Sequence, residues 1–568
     1  MNPLQVIIKK ASFTALLSLP LWVFSQSANL PQGDKHRALL DRLEIKLGTQ
    51  TELNLMTVKP VSRRLVVRVG QYADSVQHAG GSLLSEVDQQ NLRSLFLDNK
   101  EWYKGDNSWM ASRKPIGKVF YKTPANFIEV NEKDFFLVVN PVVQYQQSKE
   151  TGNDDNVFVN TRGGAFRGLI AGKIGFSGYL TDNQERGPRF VRERVDSFQA
   201  VPGAGFYKNF KTNGVDYFDG RGSIHFNATK YLDFQFGYDR NFIGNGYRSL
   251  FLSDQGTNYL FLKVNTRIWK LNYLNLFMEL TPEFVKGGAD NLLDKKYAAI
   301  HHLSVNVTPW LNLGVFESVI FGRKNHFDFT YLNPIMFLRV AEQQNGSSDN
   351  ALVGFDFKAN IRKRTQVYGQ VLLDEFLLRE IRAGNGWWGN KFGLQLGGKY
   401  IDAFGLKNLD LQGEINLVRP FTYTHSDSVS NYTHYNQPLA HPLGANFQEF
   451  IGIARYQPHP KWTASARLVF WKQGLDSSGT FSNVGSNIFK LYTTRSRGDY
   501  GYTIGTGIAH KGLNAQFLLS YEWKQNLFFE GSALLRKLSR PPGANYPPDA
   551  TVFTVGLRWN MFRREYDY

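Results

Sequence analysis

Residues 259–280 read YLFLKVNTRIWKLNYLNLFMEL, two period-two runs broken at Trp269-Lys270. The first sets Leu260, Leu262, Val264 and Ile268 against Lys263, Asn265 and Arg267. The second sets Leu274, Leu276, Met278 and Leu280 against Tyr273, Asn275, Phe277 and Glu279. Successive side chains of a β-strand point to opposite faces, so each run has one largely apolar face and one polar or mixed face. The alternation recurs. Residues 231–238 set Leu232, Phe234, Phe236 and Tyr238 against Tyr231, Asp233, Gln235 and Gly237, and 354–362 set Phe355, Phe357, Ala359 and Ile361 against Asp356, Lys358, Asn360 and Arg362. Similar runs occupy 367–374, 462–472 and 551–561. Many reach about 9–12 residues, the length a tilted strand needs to cross a bilayer, against about 5–6 in soluble sheets.

The pattern predicts an all-β, antiparallel transmembrane barrel, with apolar faces toward lipid and charges lining the lumen. Closure leaves no unpaired strand edge in lipid. Aromatics fall at run ends, at Tyr231, Tyr238, Tyr259, Trp269, Trp310, Trp462, Trp471 and Trp559, as interfacial girdles require. The span 126–568, at roughly 24 residues per strand and connection, predicts about 18 strands within a range of 16 to 20. The last run ends in Trp559 and Phe562, with Tyr566 and Tyr568 beyond.

Composition agrees. The 568 residues are 14% aromatic and 20% charged, with 52 Gly and a mean hydropathy of −0.35. No long apolar run follows the N-terminus, which excludes a helical inner-membrane protein, and the aromatic content excludes a disordered chain. The absence of Cys rules out disulfides, thiolate metal sites, a Cys nucleophile and a lipoprotein anchor. Residues 1–25 read as a cleavable signal peptide. Lys9 and Lys10 precede an apolar stretch, and Val23 and Ser25 occupy the −3 and −1 places before Gln26. An exported chain of net charge +17 has no nucleic acid as partner; anionic polysaccharide and lipid head groups fit its charge instead.

Residues 26–125 read as a helical or mixed periplasmic segment, a plug or cap. Leu39, Leu40, Leu43 and Leu47 have helical spacing, Ser85-Glu86-Val87-Asp88 resembles a capping box leading into 89–97, and 63–70 (RRLVVRVG) fits a strand or an amphipathic helix.

The stretch most suggestive of chemistry is 419–446. It holds Arg419, Tyr423, His425, Tyr432, His434, Tyr435, Gln437 and His441. Rings that stack on sugar faces and amides that bond hydroxyls suit carbohydrate. His425, His434 and His441 lack the spacing of a metal site, so neither a metal nor another cofactor is expected. No GxSxG elbow is present and nothing singles out a Ser–His pair, so no enzyme is expected. Gly163-Gly164 and Gly287-Gly288 read as turns.

Several segments resemble the outer-membrane capsule-assembly family Wzi, in its Bacteroidetes-type form: 239–254 (DRNFIGNGYRSLFLSD), 331–343 (YLNPIMFLRVAEQ), 350–357 (NALVGFDF), 367–370 (VYGQ) and, above all, 419–446 (RPFTYTH…NYTHYNQPLAHPLGAN). The resemblance implies an 18-stranded outer-membrane barrel blocked on its periplasmic side by a helical segment. It also implies a lectin-like role in anchoring exported acidic capsular polysaccharide or exopolysaccharide. It makes Arg240, Asn245 and Arg248 candidate polysaccharide contacts beside the eight residues of 419–446. Relatives in gliding bacteria serve surface motility, so a motility or secretion component with protein partners is one alternative reading, and an open porin is another.

Overall fold

The computed structural model describes residues 27–568, apart from 50–51, 53–54, 287–291, 336, 347–348, 478–481 and 540–548. The expected leader and the turn at Gly287-Gly288 lie outside the described residues. Eighteen antiparallel strands close into a barrel. The first nine are β1 (Phe135–Glu150), β2 (Val157–Ile170), β3 (Ile174–Arg186), β4 (Gly214–Asn227), β5 (Leu232–Asp239), β6 (Tyr259–Ile268), β7 (Leu271–Leu280), β8 (Lys296–Thr308) and β9 (Leu311–Phe321). The rest are β10 (Asn350–Ile361), β11 (Thr365–Glu375), β12 (Lys391–Tyr400), β13 (Leu409–Val418), β14 (Phe447–His459), β15 (Trp462–Leu475), β16 (Ile508–Lys524), β17 (Leu527–Leu538) and β18 (Ala550–Trp559). Closure runs from β18 to β1, with Trp559 opposite Val143. Short turns join strands at one rim and long connections at the other, which makes these rims periplasmic and extracellular respectively. Trp269, Trp310, Trp462 and Trp523 project outward at the short-turn rim.

Most strands keep the expected faces: Phe236, Leu260 and Phe355 are exposed on the outer surface, while Gln235, Lys263 and Asp356 point inward. Strand β7 is reversed. Leu276 and Met278 lie opposite Lys263 and Phe261, so Leu274, Leu276, Met278 and Leu280 face the lumen. There they pack on Leu250, Phe251, Tyr423 and Leu439 of two connections folded into the barrel. The polar outer face of β7 is hidden from lipid. The β9–β10 connection runs over the outside of the wall, where Tyr331, Leu338 and Ala341 cover Phe277, Ala299 and Val319. Beneath this strap His301 Nδ1 and Glu317 Oε1 lie 2.8 Å apart, Leu338 N donates to Glu317 Oε2 at 3.0 Å and Asn275 Nδ2 donates to the Pro334 carbonyl at 3.3 Å.

Two further expectations are corrected. Tyr259 and Trp471 point inward rather than into a girdle, Tyr259 Oη accepting from Asn241 N and Trp471 lying under Arg536. Gly163-Gly164 is the middle of β2, not a turn; a Cβ on Gly163 would lie 2.0 Å from the Leu180 carbonyl of β3. The chain after Trp559 turns back into the lumen, where Asp567 bonds Arg248 and Tyr566 Oη donates to Glu185.

The periplasmic half of the lumen holds α1 (Arg37–Leu47), α2 (Arg63–His78) and α3 (Glu86–Asp98). Ser85 caps α3 as its sequence predicts, accepting from Asp88 N while the Asp88 carboxylate accepts from Ser85 N. The stretch 63–70 is helix, and Gly70 lets α2 approach α3, since a Cβ there would meet Leu92 at 2.8 Å. The apolar core of this plug is its own: Leu43, Val66, Leu95 and Met110 cluster with one another and with no wall residue. Charged pairs join plug to wall. Arg42 reaches Asp402 at 2.8 Å and Asp410 while holding Asp88 within the plug at 2.7 Å; Lys358 pairs with Glu44 at 2.7 Å and Lys399 with Asp41 at 3.0 Å. Burial works to raise the Asp88 pKa, but Arg42 and Lys46 hold it well below the usual carboxylate range. Its contribution is therefore complete above about pH 4 and lost only in stronger acid.

Two predictions follow from these interfaces. Arg42→Ala removes the nearest cation from Asp410, leaves Lys46 alone to compensate Asp88 and Asp402, and is expected to cost on the order of 3–5 kcal/mol of plug seating. Limited proteolysis of 27–110 in the folded barrel should be slow in the parent and faster in the variant, while the lid still closes the lumen; equal protection would place the plug's hold elsewhere. Replacing 329–344 by a short Gly-Ser turn exposes the polar seam to lipid and should lower the temperature of barrel unfolding on a heat-shift gel. Adding Asn275→Leu, His301→Phe and Glu317→Leu should recover most of the loss.

Candidate functional site

The extracellular half of the lumen is closed by 240–258 and 419–446, which interlock. Tyr423 Oη donates to the Leu250 carbonyl at 2.8 Å and Tyr432 Oη to the Phe251 carbonyl at 2.7 Å, with the two rings stacked at 5.6 Å. Thr281 N donates to His434 Nδ1 at 2.9 Å, and His434 Nε2 donates to the Asn258 carbonyl at 3.0 Å. Accepting on one nitrogen and donating from the other fixes His434 as the neutral tautomer. Burial, with Lys296 nearby, pulls its pKa down to about 4. His441 Nε2 meets Glu449 Oε2 at 2.8 Å and its ring stacks on Phe447. Arg248 is bound by Asp567 and Glu449, Asn245 Oδ1 accepts from Thr57 of the plug at 2.7 Å, and Gln437 Oε1 accepts from Gly203 N at 3.1 Å. Arg240 donates to the Asp254 carbonyl at 2.8 Å.

The eleven candidates lie in two interlocked connections, and most are buried and bonded within the protein. Tyr423, Tyr432, His434, His441, Asn245 and Arg248 lock a lid. Arg419, His425 and Tyr435 remain half-buried near the outer surface. Arg419 donates to the carbonyls of Asn390, Trp387 and Tyr502 at 2.7, 3.2 and 3.0 Å, so it positions the β11–β12 connection.

That connection and 476–507 carry a cluster that the sequence pattern did not reveal. Trp388 packs on Tyr492 with centroids 4.7 Å apart and on Trp387 at 5.9 Å. The Arg495 guanidinium lies 4.6 Å from the Trp388 ring centre, Lys391 lies 4.9 Å from that of Tyr492, and the His425 ring meets Tyr492 edge-on at 6.0 Å. Exposed Tyr500 and Arg497 lie in the same connection. Only the doubled Trp387-Trp388 could have flagged the site, because its partners lie about 100 residues further along. Beside the lid a cleft of about 430 Å³ is floored by 436–444 and carries the amides of Asn436, Gln473 and Asn487 with the rings of Phe284 and Phe489. Flat rings flanked by cations and a cleft of amides can hold a polyhydroxylated, anionic chain.

Between lid and plug lies a chamber of about 460 Å³ lined by charges that include Arg37, Arg221, Arg467 and Asp254. Among the described residues no group of three or more His, Asp or Glu side chains is placed to hold a metal. Ser223 Oγ and His225 Nε2 stand 2.8 Å apart in the lumen, a pair the sequence reading did not single out. Among the described residues no carboxylate orients the other imidazole nitrogen.

These features define an outer-membrane β-barrel stoppered from both ends. The structure of Wzi, an outer-membrane protein involved in group 1 capsule assembly in Escherichia coli and a carbohydrate-binding β-barrel, matches with a TM-score of 0.54 at 14% identity, over 94% of this chain and 100% of that one. At that identity the likeness is one of fold: this chain has the Wzi-type fold. OprD of Pseudomonas aeruginosa matches over 74% of this chain and 94% of its own, with a TM-score of 0.41 at 11% identity. OccAB2 of Acinetobacter baumannii gives 0.40 at 10%, over 74% and 97%. No family profile and no curated protein matches the sequence.

The His434 geometry yields a prediction. Its folded pKa lies below the ordinary value near 6.5, so its stabilising contribution is complete above that pH and declines as pH falls toward 4. Proteolysis of the lid should accelerate between pH 6.5 and about 4. His434→Ala, which loses two buried bonds, should cost about 1–3 kcal/mol and flatten that dependence.

Proposed function

We propose that this protein is a non-enzymatic outer-membrane barrel that binds exported acidic polysaccharide at the cell surface. The observation carrying this reading is the half-exposed ring cluster of Trp387, Trp388 and Tyr492, flanked by Arg495 on the extracellular rim, with the His425 ring edge-on to Tyr492 and buried Lys391 committed to Asp374 and Glu375. Rings stack on sugar faces, and the Arg495 guanidinium meets uronate or other acidic groups. The cleft beside Asn436 and Phe489 extends the track. Arg419 and the buried lid residues act by holding these surfaces in place. A lumen closed by plug and lid favours a binder over a porin. The unoriented Ser223–His225 pair lacks the third group a hydrolase needs to aim its base.

The test is polysaccharide retention. Deleting the protein should leave polymer synthesis intact while shifting capsule from cells to medium. Trp388→Ala and Arg495→Ala should each weaken co-sedimentation of purified barrel with acidic polysaccharide about two- to tenfold, without changing barrel stability. Unchanged retention with failed surface spreading or protein export would instead assign the barrel to motility or secretion.

A further inference from the structure

The chain leaves the plug core at Met110 and reaches the wall at Ile128–Glu132, a short strand paired with the periplasmic end of β1. Between them, 112–122 forms a hairpin. Ser112 N donates to the Lys122 carbonyl at 2.8 Å, and Ile116 and Phe120 exchange backbone bonds at 2.9 and 3.0 Å. Gly117 and Lys118 turn the tip with φ of 57° and 61°, both in the left-handed region that a tight hairpin turn requires.

The hairpin stands outside the barrel. Its Tyr121 ring stacks on Trp559 at 6.2 Å and 14°. Trp559 lies on the same outward face of β18 as exposed Phe553 and Val555, at the rim where Trp269, Trp310, Trp462 and Trp523 mark the periplasmic interface. Phe120 and Phe127 stack at 4.6 Å and stiffen the base. At the tip Ile116 is 62% and Val119 55% exposed. Arg113, Lys114, Lys118 and Lys122 surround them, all exposed, and among the described residues none has an ion-pair partner.

Apolar side chains presented at the membrane rim within a ring of unpaired cations match an anionic lipid surface. We propose that 112–122 is a clamp on the periplasmic leaflet: Ile116 and Val119 enter the head-group layer, and the four cations hold the phosphates of anionic phospholipids. The clamp fixes the chain between plug and wall.

The chain has no Cys, so Ile116→Cys or Val119→Cys carries a single environment-sensitive nitrobenzoxadiazole label on the full-length barrel in nanodiscs. In phosphatidylcholine discs containing phosphatidylglycerol the emission should shift to the blue and be quenched by head-group-level spin-labelled lipid. The shift should shrink in high salt, in phosphatidylcholine alone, and when Arg113, Lys114, Lys118 and Lys122 are all changed to Gln. Water-like emission from both labels in every disc would overturn the proposal, as would protection that appears only on adding periplasmic proteins. Insertion indifferent to anionic lipid and to the four Gln changes would overturn the phosphate contacts.

Discussion

A membrane offers its backbone no water. Every amide and carbonyl in the hydrocarbon layer must be bonded within the protein, and for strands that means a closed ring. At 18 strands the ring is too wide for the wall's own side chains to fill. The rest of the architecture answers that problem. Three helices fill one end, two long connections fill the other, and the chain after Trp559 doubles back between them.

The two fillings are of different kinds. The lid shares an apolar core with the wall, in which Leu274, Leu276 and Met278 pack on Phe251 and Tyr423. It is part of the barrel's own core. The helices of the plug keep their core to themselves and meet the wall through Arg42, Lys358 and Lys399, while Val58 and Lys59 pair with Ile243 and Phe242 of the lid. Buried pairs of this sort add less net stability than their number implies, because desolvation offsets attraction, yet losing one partner is costly. Such an interface specifies one seating strongly without fusing plug and wall into one core.

The Tyr- and His-rich stretch illustrates how composition can point to a place without identifying its contacts. A phenol or imidazole that bonds a carbonyl inside a lid has the same sequence appearance as one that bonds a sugar hydroxyl. Tyr432 and His434 took protein partners, while the rings offered to solvent are Trp388 and Tyr492, supported from beneath by Arg419.

Period-two alternation over membrane-length runs determined the barrel, its approximate strand number and most of its lipid face, because lipid on one side imposes a strict rule on every second residue. Helical spacing and the Ser85 cap likewise made α1 and α3 legible, since these depend on neighbours within a few residues, while 63–70 fitted strand and helix alike until its packing on α3 was known. Only the tertiary structure decided which face of β7 looks inward, because a strap outside and a folded connection inside inverted its surroundings. It alone joined Trp388 to Tyr492 and seated Tyr121 on Trp559. These contacts are made between segments far apart in the chain, and no local pattern records which distant surface a side chain will meet.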